Sequence, residues 1–529
     1  MRMHLNWIGL ALATASILSA ANPFQPTIAP NGVVNAASYL SLAYNNYGIA
    51  RGSMFLVFGS ALGPVNLVQA TSFPLPTTDG LAGTRVLISI GAYNAACPMV
   101  YSSLTQVAAI MPSNAPEGDG SLVVSYQNLA STSVPIRVVH SAFGVFTRNQ
   151  AGSGPAIAQN FVSQASMPLN SLVASATPGQ TVILWGTGLG PATGGDETAG
   201  PRPGSLPFLD SLYVGGMPAN VRYAGRSGCC AGVDEIVFDV PAGISGCYVP
   251  VAAITSGVVS NFGTISVAAS GKECNDPLSF RASSLTAAES SGTLRAAQIG
   301  LTSASGEIDF SGSFFATDLN TALGSTSWLT PPAGTCYVSV SSVTATPAHA
   351  GAGLNAGDSI SVNGPPGLLM APNTSSGGYS MSKSPANLSQ GSYSFASQGG
   401  SDVGPFTTTL NMAAPAVWTN ASSYSGPTIS AGSPLLFPWS GADPSGYVTL
   451  RVASANATYN SVMQCTATPS AGVFTVPATL TRALFAGPVT VSLSSTAAPV
   501  SFAATGLDAA SITATATSAA QTTLQPAIQ

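Results

Sequence analysis

Charge is what this sequence has least of. Asp, Glu, Lys and Arg together make up 6% of its 529 residues, against roughly a quarter in an average soluble protein. Lysine occurs only at Lys272 and Lys383. The basic residues are scattered singly, with no basic stripe and no interleaved aromatics, so nucleic acid is not an expected partner. Histidine is nearly missing: His4, His140 and His349 are all there is. No CxxC and no HxxxH occurs, which removes the usual zinc ligand sets. With so few histidines a Ser-His-Asp triad has few possible builds, and no G-x-S-x-G elbow is present. Past the N-terminal segment, no uninterrupted apolar run approaches ~20 residues, so no helical membrane span is expected in the mature chain.

Glycine (56) and proline (39) are plentiful, and 45% of the residues are hydrophobic. That is enough apolar material for several cores, and it argues against the charge-rich, apolar-poor class of disordered chains. Short β-branched runs between Gly and Pro turns predict an all-β protein of tandem immunoglobulin-like β-sandwich domains. At the N-terminus, Arg2 is followed by an apolar segment at 7–18. Ser19 and Ala21 are the small residues at −3 and −1. Residues 1–21 therefore read as a signal peptide cleaved before Asn22, which predicts a secreted or cell-surface protein.

One phrase occurs twice. Residues 51–64 read RGSMFLVFGSALGP and residues 178–191 read PGQTVILWGTGLGP. Gly59, Leu62, Gly63 and Pro64 fall on Gly186, Leu189, Gly190 and Pro191. A Gly opens a turn, a mostly apolar strand follows, an aromatic ends it, and a Gly-rich bend is closed by Pro. Such a spacing is domain-sized and predicts two copies of one sandwich, at 33–147 and 155–275. The second copy carries two additions, the loop ATGGDETAGPRPGS and the insertion RSGCCAGVD at 226–234. A β-rich domain is expected at 278–416 and a last immunoglobulin-like sandwich at 417–516. Residues 517–529 read as a disordered tail.

Gly179-x-x-Val182-x-Leu184-x-Gly186-Thr187-x-Leu189, followed by Val240-Pro-Ala-Gly, resembles the IPT/TIG group of immunoglobulin-like domains. GVVNAASY at 32–39, PLPT at 74–77, VFTRNQAGSGPA at 145–156 and VPAGISGCYVPV at 240–251 add a closer likeness. Together they resemble uncharacterised secreted acidobacterial proteins of the Solibacter type, with a recurrent β-sandwich domain. The resemblance covers about residues 30–275. It implies export and a surface or extracellular role, and it supplies no catalytic or ligand residue to carry over. In those proteins the domain is C-terminal, whereas here the pair is N-terminal.

Each candidate for chemistry has a plainer alternative. GTGLG at 186–190 has the look of a dinucleotide-binding turn, but Pro191 and ATGG follow where that turn needs a helix, so a structural bend is expected. Ser380-Met-Ser-Lys383 fits S-x-x-K, yet it lies in strand-and-turn sequence and KTG is missing. Asp196, Glu197, Asp210, Asp358, Asp402 and Asp443 sit near Gly-rich loops but match no calcium-loop spacing, and read as solvated acids.

The cysteines say more. Cys247 begins one arm of a predicted hairpin and Cys274 lies just past the other, so a Cys247–Cys274 disulfide is geometrically natural and worth ~3 kcal/mol. Cys229 and Cys230 either bridge each other, or one of them replaces a partner in that pair. Cys336 and Cys465 are buried thiols or an interdomain bridge, and Cys97 is a buried small apolar residue. Trp185 and Trp439 end apolar strands and read as core, leaving Trp328 and Trp418, each in a linker-like stretch, as the candidates for exposure, with core or interdomain packing the expected reading.

These observations name no cofactor, no metal site and no catalytic residue. They predict an exported, non-enzymatic structural or adhesion protein whose partner is unidentified, a surface polysaccharide or another extracellular protein. The alternatives are a polysaccharide-binding protein, which requires a row of solvent-facing aromatics, and a secreted hydrolase, which requires converging carboxylates.

Overall fold

The computed structural model describes residues 25–44, 47–195, 200–274, 285, 288, 291–324, 329–343 and 351–526. The signal segment, Trp328, His349, Asp196 and Glu197 lie outside the described residues. The chain is all-β, built of immunoglobulin-like sandwiches of mostly antiparallel strands.

The repeated phrase forms the same strand in two sandwiches. Met54–Ser60 lies between Thr27–Asn35 and Gln106–Ile110, and Thr181–Thr187 lies between Gly144–Val145 and Asp234–Asp239. The register agrees as well. Val57 faces Val107 in the first sandwich, and Leu184 faces Ile236 at the matching place in the second. An inner strand covered on both faces must be apolar throughout rather than alternating. Accordingly Phe55 and Val57 enter the first core, while Leu56 packs on the opposite face with Val34 and Ala108. Gly59 and Gly186 are shared for one reason: a β-carbon would collide with the carbonyl oxygen of Thr27 in one copy and of Gly144 in the other. Leu62 and Leu189 are fully buried plugs at the ends of their cores.

Beyond residue 285 most strands join one continuous sheet, and here the structure corrects the expected divisions. Ala509–Gln525 is a single 17-residue strand. Its first half pairs in parallel with Thr293–Ala304, and its second half pairs antiparallel with Gly487–Thr496. Ile512 and Ala514 enter the third core, whereas Ala520 and Leu524 enter the fourth. The segment expected to be a disordered tail from 517 is therefore ordered strand through Gln525. Its polar Thr and Ser alternate with small apolar residues that face a core, which is strand patterning at low hydrophobicity. The expected boundary at 416/417 does not separate the two units either. Cys336–Ser342 leaves the third unit and pairs with Tyr459–Ala467 of the fourth. The three-stranded sheet Val417–Trp418, Leu435–Ser440, Val473–Val476 forms the facing layer.

The four units do not hang as separate beads. Phe262 and Ala252 of the second sandwich enter the fourth core. The Tyr337 hydroxyl accepts the Gly154 N–H at 2.7 Å. Tyr459 and Phe485 of the fourth unit enter the first core beside Tyr44. The Tyr459 hydroxyl bonds Ser41 Oγ at 2.8 Å, and the Tyr44 hydroxyl donates to the Ala483 carbonyl at 3.0 Å.

Candidate functional site

The GTGLG bend follows the strand Thr181–Thr187, and its backbone N–H groups have a partner within the protein. Asp234 Oδ2 accepts the Gly188 and Leu189 N–H groups at 2.7 and 2.8 Å. Asp234 Oδ1 takes Arg226 Nη1, and Arg226 Nη2 donates to the Gly190 carbonyl at 3.0 Å. The side chains of Arg226 and Asp234 are 1% and 0% exposed. Adjacent N–H groups on a Gly-rich bend make an anion site. Here an internal carboxylate occupies it, which explains why the bend has the look of a phosphate loop and serves as a structural turn. In the first copy, hydroxyls hold the bend instead. Thr84 Oγ1 donates to the Leu62 carbonyl at 3.2 Å and accepts from Ser102 Oγ at 2.7 Å.

The two copies of the phrase meet each other at the seam between the sandwiches. The Met54 N–H donates to Thr187 Oγ1 at 2.9 Å, and that hydroxyl donates to the Gly232 carbonyl. Ala231 packs with Leu75 and Ile110 of the first sandwich. A β-carbon on Gly52 would lie 3.3 Å from Pro191 Cα. Beside the seam, Glu117 Oε1 lies 3.2 Å from Arg51 Nη2 and 3.0 Å from His140 Nδ1. The His140 ring stands edge-on to Phe208 at 4.4 Å.

Both additions of the second copy converge here. Arg226 and Asp234 are the first and last residues of the insertion and close its base, and the Ser227 N–H donates to the Val233 carbonyl at 2.9 Å. Gly204–Ser205, at the end of the Gly-rich loop, pairs with Gly225 and Arg226. The Tyr223 hydroxyl accepts the Gly204 N–H at 2.9 Å and donates to the Arg226 carbonyl at 2.6 Å. A β-carbon on Gly200 would touch the Phe73 ring at 3.5 Å. Phe73 belongs to the loop that follows the first copy of the phrase, where Val65 is 79% exposed, Leu67 59% and Phe73 43%. Cys229 and Cys230, at the insertion tip, are exposed and bonded to each other. The loop after the first phrase, the described end of the Gly-rich loop and the insertion thus meet, through Phe73 on Gly200 and Leu75 on Ala231. The exposed residues at 65–73 were the signal that the sequence offered and that strand reading passed over.

The other cysteines lie inside. Cys247 is bonded to Cys274, with a Cα–Cα distance of 5.4 Å, in the core shared by the second and third units. Cys336 is bonded to Cys465 directly across the strand pair. Cys97 is a buried thiol, and burial pushes its pKa up. Trp418 is buried, stacked on Phe437 at 5.6 Å. Trp439 is buried as well, and Trp185 is half-buried with its N–H on Gln159. None of these three forms a solvent-facing row. Ser380 and Lys383 lie on the strand Gly378–Lys383, where the lysine donates to the Pro366 carbonyl at 2.6 Å. The Asp210, Asp402 and Asp443 carboxylates accept backbone N–H groups of Gly257, Asn355 and Ser445. Among the described residues no group of three or more His, Cys, Asp or Glu could hold a metal. No helix among them is long and apolar enough to cross a membrane.

A second concavity lies between the second and fourth units. It is a cleft of about 360 Å³ lined by Tyr213, Met217, Phe262, Phe474, Thr479 and Leu480 among others, with no charged side chain in its wall.

No family model matches this chain, and no curated protein matches it. Among solved structures, it is similar to a tetra-tandem repeat in the extending region of a large adhesion protein, at 10% identity and a TM-score of 0.14, over 92% of this chain and 98% of that one. It is similar to the Bacteroides ovatus mixed-linkage glucan utilization locus protein SGBP-B, solved with a mixed-linkage heptasaccharide, at 13% identity and a TM-score of 0.15, over 82% and 84%. Domains 5–6 of the S-layer protein SbsC match 47% of this chain and all of theirs, at 13% identity and a TM-score of 0.15. At these scores the likenesses carry no argument about ligand or partner.

Proposed function

We propose that this is an exported, non-enzymatic structural and adhesion protein that presents the seam surface to an extracellular partner. The observation that supports this most directly is the convergence of the two additions of the second copy with the exposed 65–73 loop. Loops on a rigid scaffold are the usual place for binding, and a contiguous exposed apolar edge marks an interaction surface. The resemblance to secreted IPT/TIG-like proteins of the Solibacter type supports the same location. The low charge suits it too, since a partner is met through apolar and hydroxyl groups rather than by ionic attraction. The test is retention of the mature chain on immobilised cell-wall polysaccharides and on surface-protein extracts. Loss of retention in a Leu67→Asp, Phe73→Asp variant that folds normally supports the reading; retention unchanged by those substitutions ends it.

A polysaccharide-binding role has one observation in its favour, the uncharged cleft with Tyr213 and Phe474 half-buried in its wall. A neutral saccharide leaves no buried charge unpaired there. A glycan array separates the two readings: signal abolished by Phe474→Ala and indifferent to Phe73→Asp belongs to the cleft.

A further inference from the structure

Three disulfides are present, and they differ in what they do for the fold. A cross-link stabilises chiefly by closing a loop of the unfolded chain, and the gain grows with loop length. Cys336–Cys465 spans 129 positions and Cys247–Cys274 spans 27, and all four of those residues are buried. Cys229–Cys230 spans one position, so it closes no loop of consequence. It sits exposed at the tip of the insertion. The base of the insertion is held without it, by the buried Arg226–Asp234 pair and by the Ser227-to-Val233 backbone bond. The seam contacts are likewise made below the tip, by Ala231 and Gly232.

A bond that closes no loop of consequence and stands in solvent, outside the packing beneath it, has the properties of a reactive group. We propose that Cys229–Cys230 is a thiol–disulfide exchange site that accepts an external thiol, free or on a partner protein, while the fold stays intact. The thiolate of the external thiol attacks one of the two sulfurs. The Cys229–Cys230 bond breaks as the mixed disulfide forms, and the electron pair leaves on the other cysteine, which takes a proton from water. A second external thiolate attacking the mixed disulfide releases the oxidised thiol and leaves Cys229 and Cys230 both as thiols. The pair is reduced by two electrons and two external thiols are oxidised to one disulfide. Ser227 Oγ, 3.4 Å from Cys229 Sγ, is a hydroxyl within reach to donate to the released thiolate. Access to the attacking group, rather than to the buried bridges, decides which disulfide exchanges.

The inference goes beyond the adhesion reading and does not depend on it. The experiment uses the oxidised mature chain, reduced glutathione as the probe at neutral pH without denaturant, and acid quenching. Alkylation and peptide mapping follow. Glutathione adducts or alkylated thiols are expected at Cys229 and Cys230 at least about tenfold faster than at Cys247, Cys274, Cys336 or Cys465. Equal rates at all six, or none at the vicinal pair, overturn the proposal. The Cys229→Ser, Cys230→Ser double variant supplies the second measurement. Its urea midpoint is expected to match that of the parent. A lowered midpoint, or failure to fold, makes the pair a structural staple and also overturns it. Failure of the chain to adhere to anything leaves both measurements unaffected, so the two readings fail separately.

Discussion

Arg226 and Asp234 stand at the two ends of the cysteine insertion, and together they fill the anion site of the second Gly-rich bend. The pair is nearly inaccessible to water. Removing one partner from such a pair leaves a buried charge uncompensated, at about 3–5 kcal/mol, whereas replacing both with apolar residues is close to neutral. Asp234→Asn is therefore expected to lower urea-unfolding stability by about that much. Arg226→Met with Asp234→Leu should recover only part of the loss, because the Gly188 and Leu189 N–H groups are then left without their acceptor. A double-mutant cycle with no coupling between the two positions would refute the arrangement.

The disulfides are expected to rank by the loops they close. From loop length alone, losing Cys336–Cys465 costs about 5 kcal/mol, losing Cys247–Cys274 about 3.5 kcal/mol, and losing Cys229–Cys230 about nothing. Paired Cys→Ala variants measured by chemical denaturation check the order. Any result placing the vicinal pair above Cys336–Cys465 contradicts it.

Acid should weaken the second sandwich at one identifiable place. The Arg222 side chain, 2.6 Å from Asp239, holds that carboxyl well below its ordinary 3.8, at about 2, with Asn220 and Thr181 also donating to it. A carboxylate whose pKa is depressed on folding adds stability that is complete above its unfolded pKa and is lost as pH falls through the folded value. The contribution should fade between about pH 4 and pH 2. Because Arg222 is largely solvated, the effect is small. Asp239→Asn should make the protein slightly less stable than the parent above pH 5 and converge with it near pH 2, flattening the acid limb; an unaltered acid limb would show that another group is responsible.

A chain stopped after Ala516 should lose its last sandwich. The missing residues supply the strand partner of Gly487–Thr496 and the core residues Ala520 and Leu524. Hydrogen exchange in Gly487–Thr496 is expected to become fast, and the third unit should also loosen because it shares the same strand. Protection equal to that of the full chain would mean that residues 517–525 are dispensable.

The first two sandwiches were legible because their inner strands are covered on both faces and announce themselves as apolar runs ending in Gly. The repeat even carries the register, Val57 on Val107 and Leu184 on Ile236. Strands facing a core on one side only, with Ser and Thr on the other, were harder. Ala509–Gln525 looks like a tail because its inward residues are mostly alanine. The hairpin Thr293–Ala304 with Glu307–Asp318 went unread, although EIDFSGSF alternates and Ser305-Gly306 supplies the two positive-φ residues of a tight turn. At the seam, the sequence singled out both additions of the second copy. It could not say that they share a surface with Phe73, because that proximity depends on how the sandwiches dock. Nor could it show that Asp234 satisfies the bend, since a carboxylate 46 and 45 positions after Gly188 and Leu189 has no local signature.

The contact of Tyr44 and Ser41 with Ala483 and Tyr459 closes the chain on itself across more than four hundred positions. This sets how a pull on the chain is shared. In a string of domains a pull on the two ends passes through each linker in turn, and the linkers straighten first. Here the first and fourth units touch directly through Tyr44 and Tyr459, so a pull between those two units meets their edge-to-face contact and hydrogen bonds as well as the linkers. The 140–155 connection between the first two sandwiches does not carry such a pull alone.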